Sequence, residues 1–179
     1  MFSHFIARKR KQKQKVLHQG ILDFHIEVLT ALDQHQVKYL IVGGHAVAVY
    51  GYVRTTSDPD LWIDQSPGNL KKLGEAIVSL GYTNDSCEKA LDEIKRNKNI
   101  ALFDDHNNKI DIIQLYSTRL TFEEAFKRKK DLNTGAITLF VIGFEDLIET
   151  KITSGRLKDL VDVKELKQLE TLRLRSKKE

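Results

Sequence analysis

Residues 39–64, YLIVGGHAVAVYGYVRTTSDPDLWID, decide the fold. An apolar strand runs into Gly43-Gly44, a short Ala-containing helix bounded by Gly51 follows, and a second strand carries Asp58 and Asp60. Residues i and i+2 of a strand point to one face, so the two carboxylates are expected side by side, roughly 6–7 Å apart at Cα. Like charges that close repel each other, and a cation between them removes the repulsion. Pro59 marks the first residues of this strand, because Leu61 and Ile63 alternate with Asp60, Trp62 and Asp64.

Working outward, Leu17, Ile21, Leu22, Phe24, Val28, Leu29 and Leu32 recur at helical spacing and predict a covering helix from Val16 to about Gln34. Ser66-Pro67 opens a second helix that stops at Gly81. Residues 82–98 are polar and carry no clear periodicity. Asn99–Phe103 and Lys109–Leu115 read as strands joined by the turn-rich DDHNN, which makes Asp104, Asp105 and His106 turn residues rather than a metal cluster. Asp111 interrupts an otherwise apolar alternation, and a charge in a half-buried strand needs a reason. A short helix (Phe122–Lys129), a strand (Ile137–Ile142) and two helices separated by Gly155 complete the chain.

The chain of 179 residues is long enough for one domain with a core, and its 41% apolar content is ordinary. The net charge of +4 belongs to the ends: residues 1–15 hold six cations and no acid, residues 171–179 hold four cations against Glu179, and residues 16–170 carry −5. A body of that sign does not by itself track a phosphate backbone. The single Cys87 excludes an internal disulfide and a zinc knuckle. No apolar run reaches the length of a membrane span, and the cations at the start follow apolar residues, the wrong order for a secretory signal. The expectation is a cytoplasmic protein with no membrane partner.

Three features combine into chemistry. Gly43-Gly44 allows a ligand's phosphates near the backbone where a strand becomes a helix. Asp58 and Asp60 suit Mg²⁺, which takes one or two carboxylates and completes its octahedron with phosphate and water. Asp111 suits either a second metal or the proton of an attacking hydroxyl. The three describe a metal-dependent phosphoryl or nucleotidyl transfer site.

In the order hydrophobic strand, Gly-Gly, thirteen residues, Asp-x-Asp and a third carboxylate on a later strand, the sequence resembles the nucleotidyltransferase superfamily of polymerase-beta-type fold. Through IVGGHAVAVYGYVRTTSDPDLWID and DLIETKITSGRLKDLVDVKEL it is most similar to small bacterial minimal nucleotidyltransferases and abortive-infection toxin-like transferases. The resemblance spans roughly residues 20–170, with Pro59 where an aliphatic residue is usual and His45 after the glycines.

It implies an α/β (α+β) fold with a mixed sheet, helices packed on one face and a C-terminal helical cap. The implied organisation is a basic mobile arm over 1–15, a catalytic core over 16–142, and a helical extension over 143–179 that closes the cleft. Asp58, Asp60 and Asp111 would be catalytic metal ligands for Mg²⁺ or Mn²⁺, with Asp111 also the general base, and Gly43 and Gly44 would cradle the triphosphate. Lys151 and Arg156 would neutralise the leaving phosphates, although Lys151 on the surface and Arg156 paired with Asp159 or Asp162 are the plainer alternatives. Arg54 and Ser57 would meet phosphate or ribose, or else stabilise the turn. His45 would touch the nucleotide, or else cap the turn.

The implied enzyme transfers a nucleoside monophosphate from a nucleoside triphosphate such as ATP to an acceptor hydroxyl and releases pyrophosphate. The acceptor would be a protein side chain, an RNA end or a small hydroxylated molecule. The alternative is a catalytically inactive nucleotide-binding regulator of a toxin–antitoxin-like pair, acting with a partner protein. A metal-dependent phosphohydrolase would want more histidines near the acids.

Overall fold

The computed structural model describes residues 4–7, 20–54, 56, 58–115 and 120–176. In chain order its elements are β1 (His4–Ala7), α1 (Gly20–Gln34), β2 (Tyr39–Val42), α2 (Gly43–Val49), β3 (Asp60–Ile63), α3 (Pro67–Ser79) and α4 (Asn84–Lys95). There follow β4 (Ile100–Phe103), β5 (Lys109–Ile113), α5 (Phe122–Lys127), β6 (Lys130–Asn133), β7 (Thr138–Val141), α6 (Phe144–Ser154) and α7 (Leu157–Ser176). The strands form one mixed sheet in the order β1-β4-β5-β3-β2-β7-β6. β3 runs parallel to β5 and β2 parallel to β7, whereas β2–β3 and β4–β5 are antiparallel.

The alternation along β5, KIDII, shows how the sheet acquires two unlike faces. Ile110 and Ile112 are buried, while Lys109, Asp111 and Ile113 between them are only partly covered. Register places Ile112 opposite Leu61 and Ile100, and Ile110 opposite Leu102, so the centre of one face is aliphatic, with Tyr39 beside Ile63 on the same face. Each such side chain contributes about 1.5–3 kcal/mol on burial. Helices α1, α3 and α4 pack side by side as a layer, with α4 also against β1 and β4. The other face carries Asp60 and Asp111, a direct Cα pair across β3 and β5. At that end α6 packs on α2 and on α7, and Gly155, with φ of +63°, turns the chain between the two closing helices. This is the mixed α/β fold with a C-terminal helical cap that the sequence led one to expect.

Several local expectations need correction. Four residues of the presumed mobile arm, His4–Ala7, pair with β4 as a parallel edge strand, and residues 8–19 lie outside the described ones. The polar stretch 82–98 contains α4, capped by Thr83, whose hydroxyl accepts from the Ser86 N–H. Its buried Cys87, Ala90 and Ile94 are a helical stripe too sparse to stand out among twelve mostly polar residues. β6 reads KDLN and is recognisable only through its pairing with β7. The helix after β2 begins at Gly43 itself. Asp58 precedes β3 rather than lying on it, because the strand starts at Asp60. Among the described residues no helix is long and apolar enough to cross a membrane.

Candidate active site

A cleft of about 540 Å³ opens where β2, β3 and β5 meet α6 and α7, a volume suited to a nucleotide-sized ligand. Gly43, Gly44, Arg54, Asp58, Asp60, Asp111, Lys151 and Arg156 all line it, so eight of the ten residues singled out from sequence converge there. Ser57 lies outside the described residues. His45 does not line the cleft; it sits behind the glycines, where burial and the neighbouring His25 lower its pKa and a hydrogen bond with the Asp58 backbone works the other way. Its bond to the Asp58 backbone accords with the turn-capping alternative.

The glycine pair has a reason different from the one the sequence suggests. Gly43 has φ of +63°, and a Cβ there would stand 2.1 Å from Asp60 Oδ2. At Gly44 a Cβ would come within 2.5 Å of Thr56 Oγ1. The space above the glycines is thus taken first by this chain's own Asp60 and Thr56, and a ligand's phosphates would meet what remains. Gly43→Ala would combine left-handed strain with this clash. It is expected to abolish nucleotide binding in a calorimetric titration while leaving the circular dichroism spectrum helical, and undiminished binding would refute the tight-contact argument.

The acid wall has an occupant that the sequence reading passed over. Lys109 Nζ stands 2.8 Å from Asp111 Oδ2 and 3.3 Å from Asp58 Oδ2, an ammonium held between two carboxylates. The bond to Asp111 is the main reason the Lys109 pKa is raised. Among the described residues no three His, Cys, Asp or Glu side chains converge as a metal cluster, and Asp58 and Asp111 both pair with Lys109. Among the described residues Asp60 has no ammonium of its own: burial first, and the charge of Asp111 second, push its pKa up to about 6 against the pull of Lys151, Lys109 and Arg156. An all-oxygen set with surplus negative charge, already holding one cation, fits Mg²⁺ or Mn²⁺.

The opposite wall is a buried ion network. Lys151 Nζ donates to Asp159 Oδ1 at 2.6 Å and lies 2.8 Å from Asp162 Oδ2. Arg54 faces Asp162 with Nη2 at 3.1 Å from Oδ2 and Nε at 2.8 Å from Oδ1. Arg156 and Ser154 both donate to Asp159 Oδ2. Burial would raise the Asp159 pKa, but the bonds from Lys151, Ser154 and Arg156 prevail and hold it at about 2. The plain reading of Arg156, a partner of Asp159 at the helix junction, is therefore realised, and Arg156 still lines the cleft. Sequence reasoning named Asp162 only as a partner for Arg156, whereas it meets Arg54 and Lys151, and it missed Lys109; the spacing of Lys109 two residues before Asp111 was the available signal for the latter. Asp104 accepts from the backbone N–H of His106 and Asn108, as hairpin-turn residues do. Trp62 packs edge-on against Phe122.

Across the cleft, paired carboxylates on adjacent strands face a cationic helical cap. The chain belongs to the family described as "Nucleotidyltransferase of unknown function (DUF6036)", whose model matches residues 21–175. Its fold is similar to that of a candidate nucleotidyltransferase from Thermotoga maritima, with 16% identity, TM-score 0.51, and coverage of 88% of this chain and 93% of the other. An antigenic nucleotidyltransferase-like protein from Paracoccidioides brasiliensis is similar with 17% identity, TM-score 0.51, and coverage of 85% and 76%. At these identities the likeness establishes the fold alone. No curated protein matches the chain.

Proposed function

We propose that the protein is a metal-dependent nucleotidyltransferase that moves a nucleoside monophosphate from a triphosphate to an acceptor hydroxyl. The observation that carries this reading is the two-walled cleft, with Asp60 and Asp111 on the sheet, Asp58 just before β3, and Lys151, Arg156 and Lys158 on the closing helices and their junction. A Mg²⁺ or Mn²⁺ ion bound by the three aspartates would polarise the α-phosphate and acidify the attacking hydroxyl. Asp111 accepts the proton of that hydroxyl as its oxygen bonds to the α-phosphorus and the bond to the β-phosphate oxygen breaks. The departing pyrophosphate is received by Arg156 and Lys158, with Lys151 contributing positive charge from the buried back wall. Residues 143–179 act as the half of the cleft that meets the leaving group, and 16–142 as the half that holds the acids. The acceptor is a protein side chain, an RNA end or a small hydroxylated molecule.

Mg²⁺-dependent pyrophosphate release, and labelling of these acceptor classes by α-labelled triphosphate, are expected for the wild type and lost in Asp58→Ala. A wild type that neither binds nucleotide with metal nor releases pyrophosphate would dispose of the reading. A second reading draws on Lys109: an acid cluster already satisfied by an ammonium also suits a protein that binds nucleotide without turnover, as half of a toxin–antitoxin-like pair. Tight metal-dependent nucleotide binding with no transfer to any acceptor class would favour it. The resemblance to minimal and abortive-infection toxin-like transferases is compatible with both.

A further inference from the structure

We propose that Lys109 is a built-in cation of the acid wall, taking one of the two positions that a two-metal site would fill, so that the protein binds one divalent ion with its nucleotide. The inference rests on the metal-dependent reading above and narrows it.

Lys109 reaches the acids through backbone placement as well as side-chain choice. It lies two residues before Asp111 on β5, so both side chains leave the same face of the sheet. Register holds it there: Phe103 is its Cα partner on β4, and its carbonyl oxygen meets His25 Nε2 of α1 at 3.0 Å. From that position the ammonium joins two carboxylates of different segments, Asp111 on β5 and Asp58 on the loop before β3. The side chains of all three are partly covered, at 27%, 29% and 24% exposure for Lys109, Asp58 and Asp111. This is a cleft-lining position and not a solvated surface pair, so the pairing is screened less than an exposed one.

Charge balance gives the stoichiometry. Three carboxylates and one ammonium leave the acid wall at −2, which one divalent ion cancels. A second divalent ion would have to share Asp58 or Asp111 with an ammonium already 3.3 Å and 2.8 Å from those carboxylates, and the two cations would repel each other. Asp60, which among the described residues has no ion pair and stands beside Asp111 across β3 and β5, is the carboxylate that would hold the single ion.

The test counts Mn²⁺ by electron paramagnetic resonance of the free ion, titrated into the full chain with a non-hydrolysable α,β-methylene triphosphate. The expected result is one Mn²⁺ per wild-type chain and one for Lys109→Arg, which keeps a cation. Lys109→Met should bind two, and its nucleotide-free affinity for Mn²⁺ should rise about tenfold or more, the direction set by removing a nearby positive charge. Thermal unfolding of each variant checks that the fold is retained, with Lys109→Gln as the replacement if Lys109→Met is not folded. Two ions on the wild type, or one ion at unchanged affinity after Lys109→Met, would overturn the inference while leaving a metal site that Asp58→Ala abolishes. No Mn²⁺ on any variant would remove the metal-dependent reading and this inference together.

Discussion

Asp60→Asn is expected to make the metal-free protein more stable at neutral pH and to remove its transfer activity. The side chain is pushed from an ordinary pKa of 3.8 to about 6 by burial and then by Asp111. The folded state therefore binds more protons than the unfolded state between those two values, and stability falls as pH rises through that window. Above pH 6 the ionised Asp60 costs about 3 kcal/mol, by the constant of 1.36 kcal/mol per pKa unit. An asparagine keeps the shape and carries no charge, so the variant should melt on the order of 5–10 °C higher than the wild type at pH 8 in chelator. The gain should shrink as pH falls below 6 and vanish near pH 4. Transfer should drop on the order of a thousandfold, the scale of removing one preorganised charge from a reaction centre. Melting curves across pH, beside a pyrophosphate assay, check both halves. A variant that is less stable at pH 8 would mean Asp60 is not strained by its charge, and one that still transfers would mean the charge is not used.

That trade-off was half visible in the sequence. Asp58 and Asp60 were expected to be adjacent on one strand face, but the strand begins at Asp60, and the adjacency that raises its pKa is with Asp111 across the sheet. Such a pairing depends on register between strands about fifty residues apart, which alternation within each strand does not determine. The polar residue of KIDII that matters beside Asp111 was also plain in the text of the chain; only the ion pairs reveal Lys109 as a partner of the acids rather than a solvated lysine. The elements read most clearly were those with dense apolar alternation, β2, β3 and β5, and those missed, α4 and β6, bury few apolar residues and take their form from capping and pairing. The glycines line the cleft as expected, and their bare Cα atoms also accommodate Asp60 and Thr56, neighbours that the sequence did not show. The cationic wall was the least legible, because Arg54 and Asp162 meet across 108 positions of sequence.

Asp162→Ala is expected to be strongly destabilising, through the buried ion network behind the cleft. Asp162 is 1% exposed and is approached by two cations, Lys151 from α6 and Arg54 from the segment leading into Asp58. Removing one carboxylate from a buried network leaves its partners with uncompensated charge, at a cost of about 3–5 kcal/mol. In a protein of this size that lowers the melting temperature on the order of 10 °C. Asp92→Ala offers the contrast: its pair with Lys95 is 58% exposed on both sides and should change stability by no more than about 0.5 kcal/mol. Because Arg54 is held by Asp162 and lies four residues before Asp58, the loss should reach the acid wall as well. Nucleotide affinity should fall even at temperatures where the variant is fully folded, measured by titration well below its melting point. Asp162→Asn separates the two effects, since it restores the side-chain volume but not the charge: if it rescued both melting temperature and affinity, the network would be a matter of packing. If it rescued neither, the charge on Asp162 is what couples the closing helices to the loop that carries the first acid.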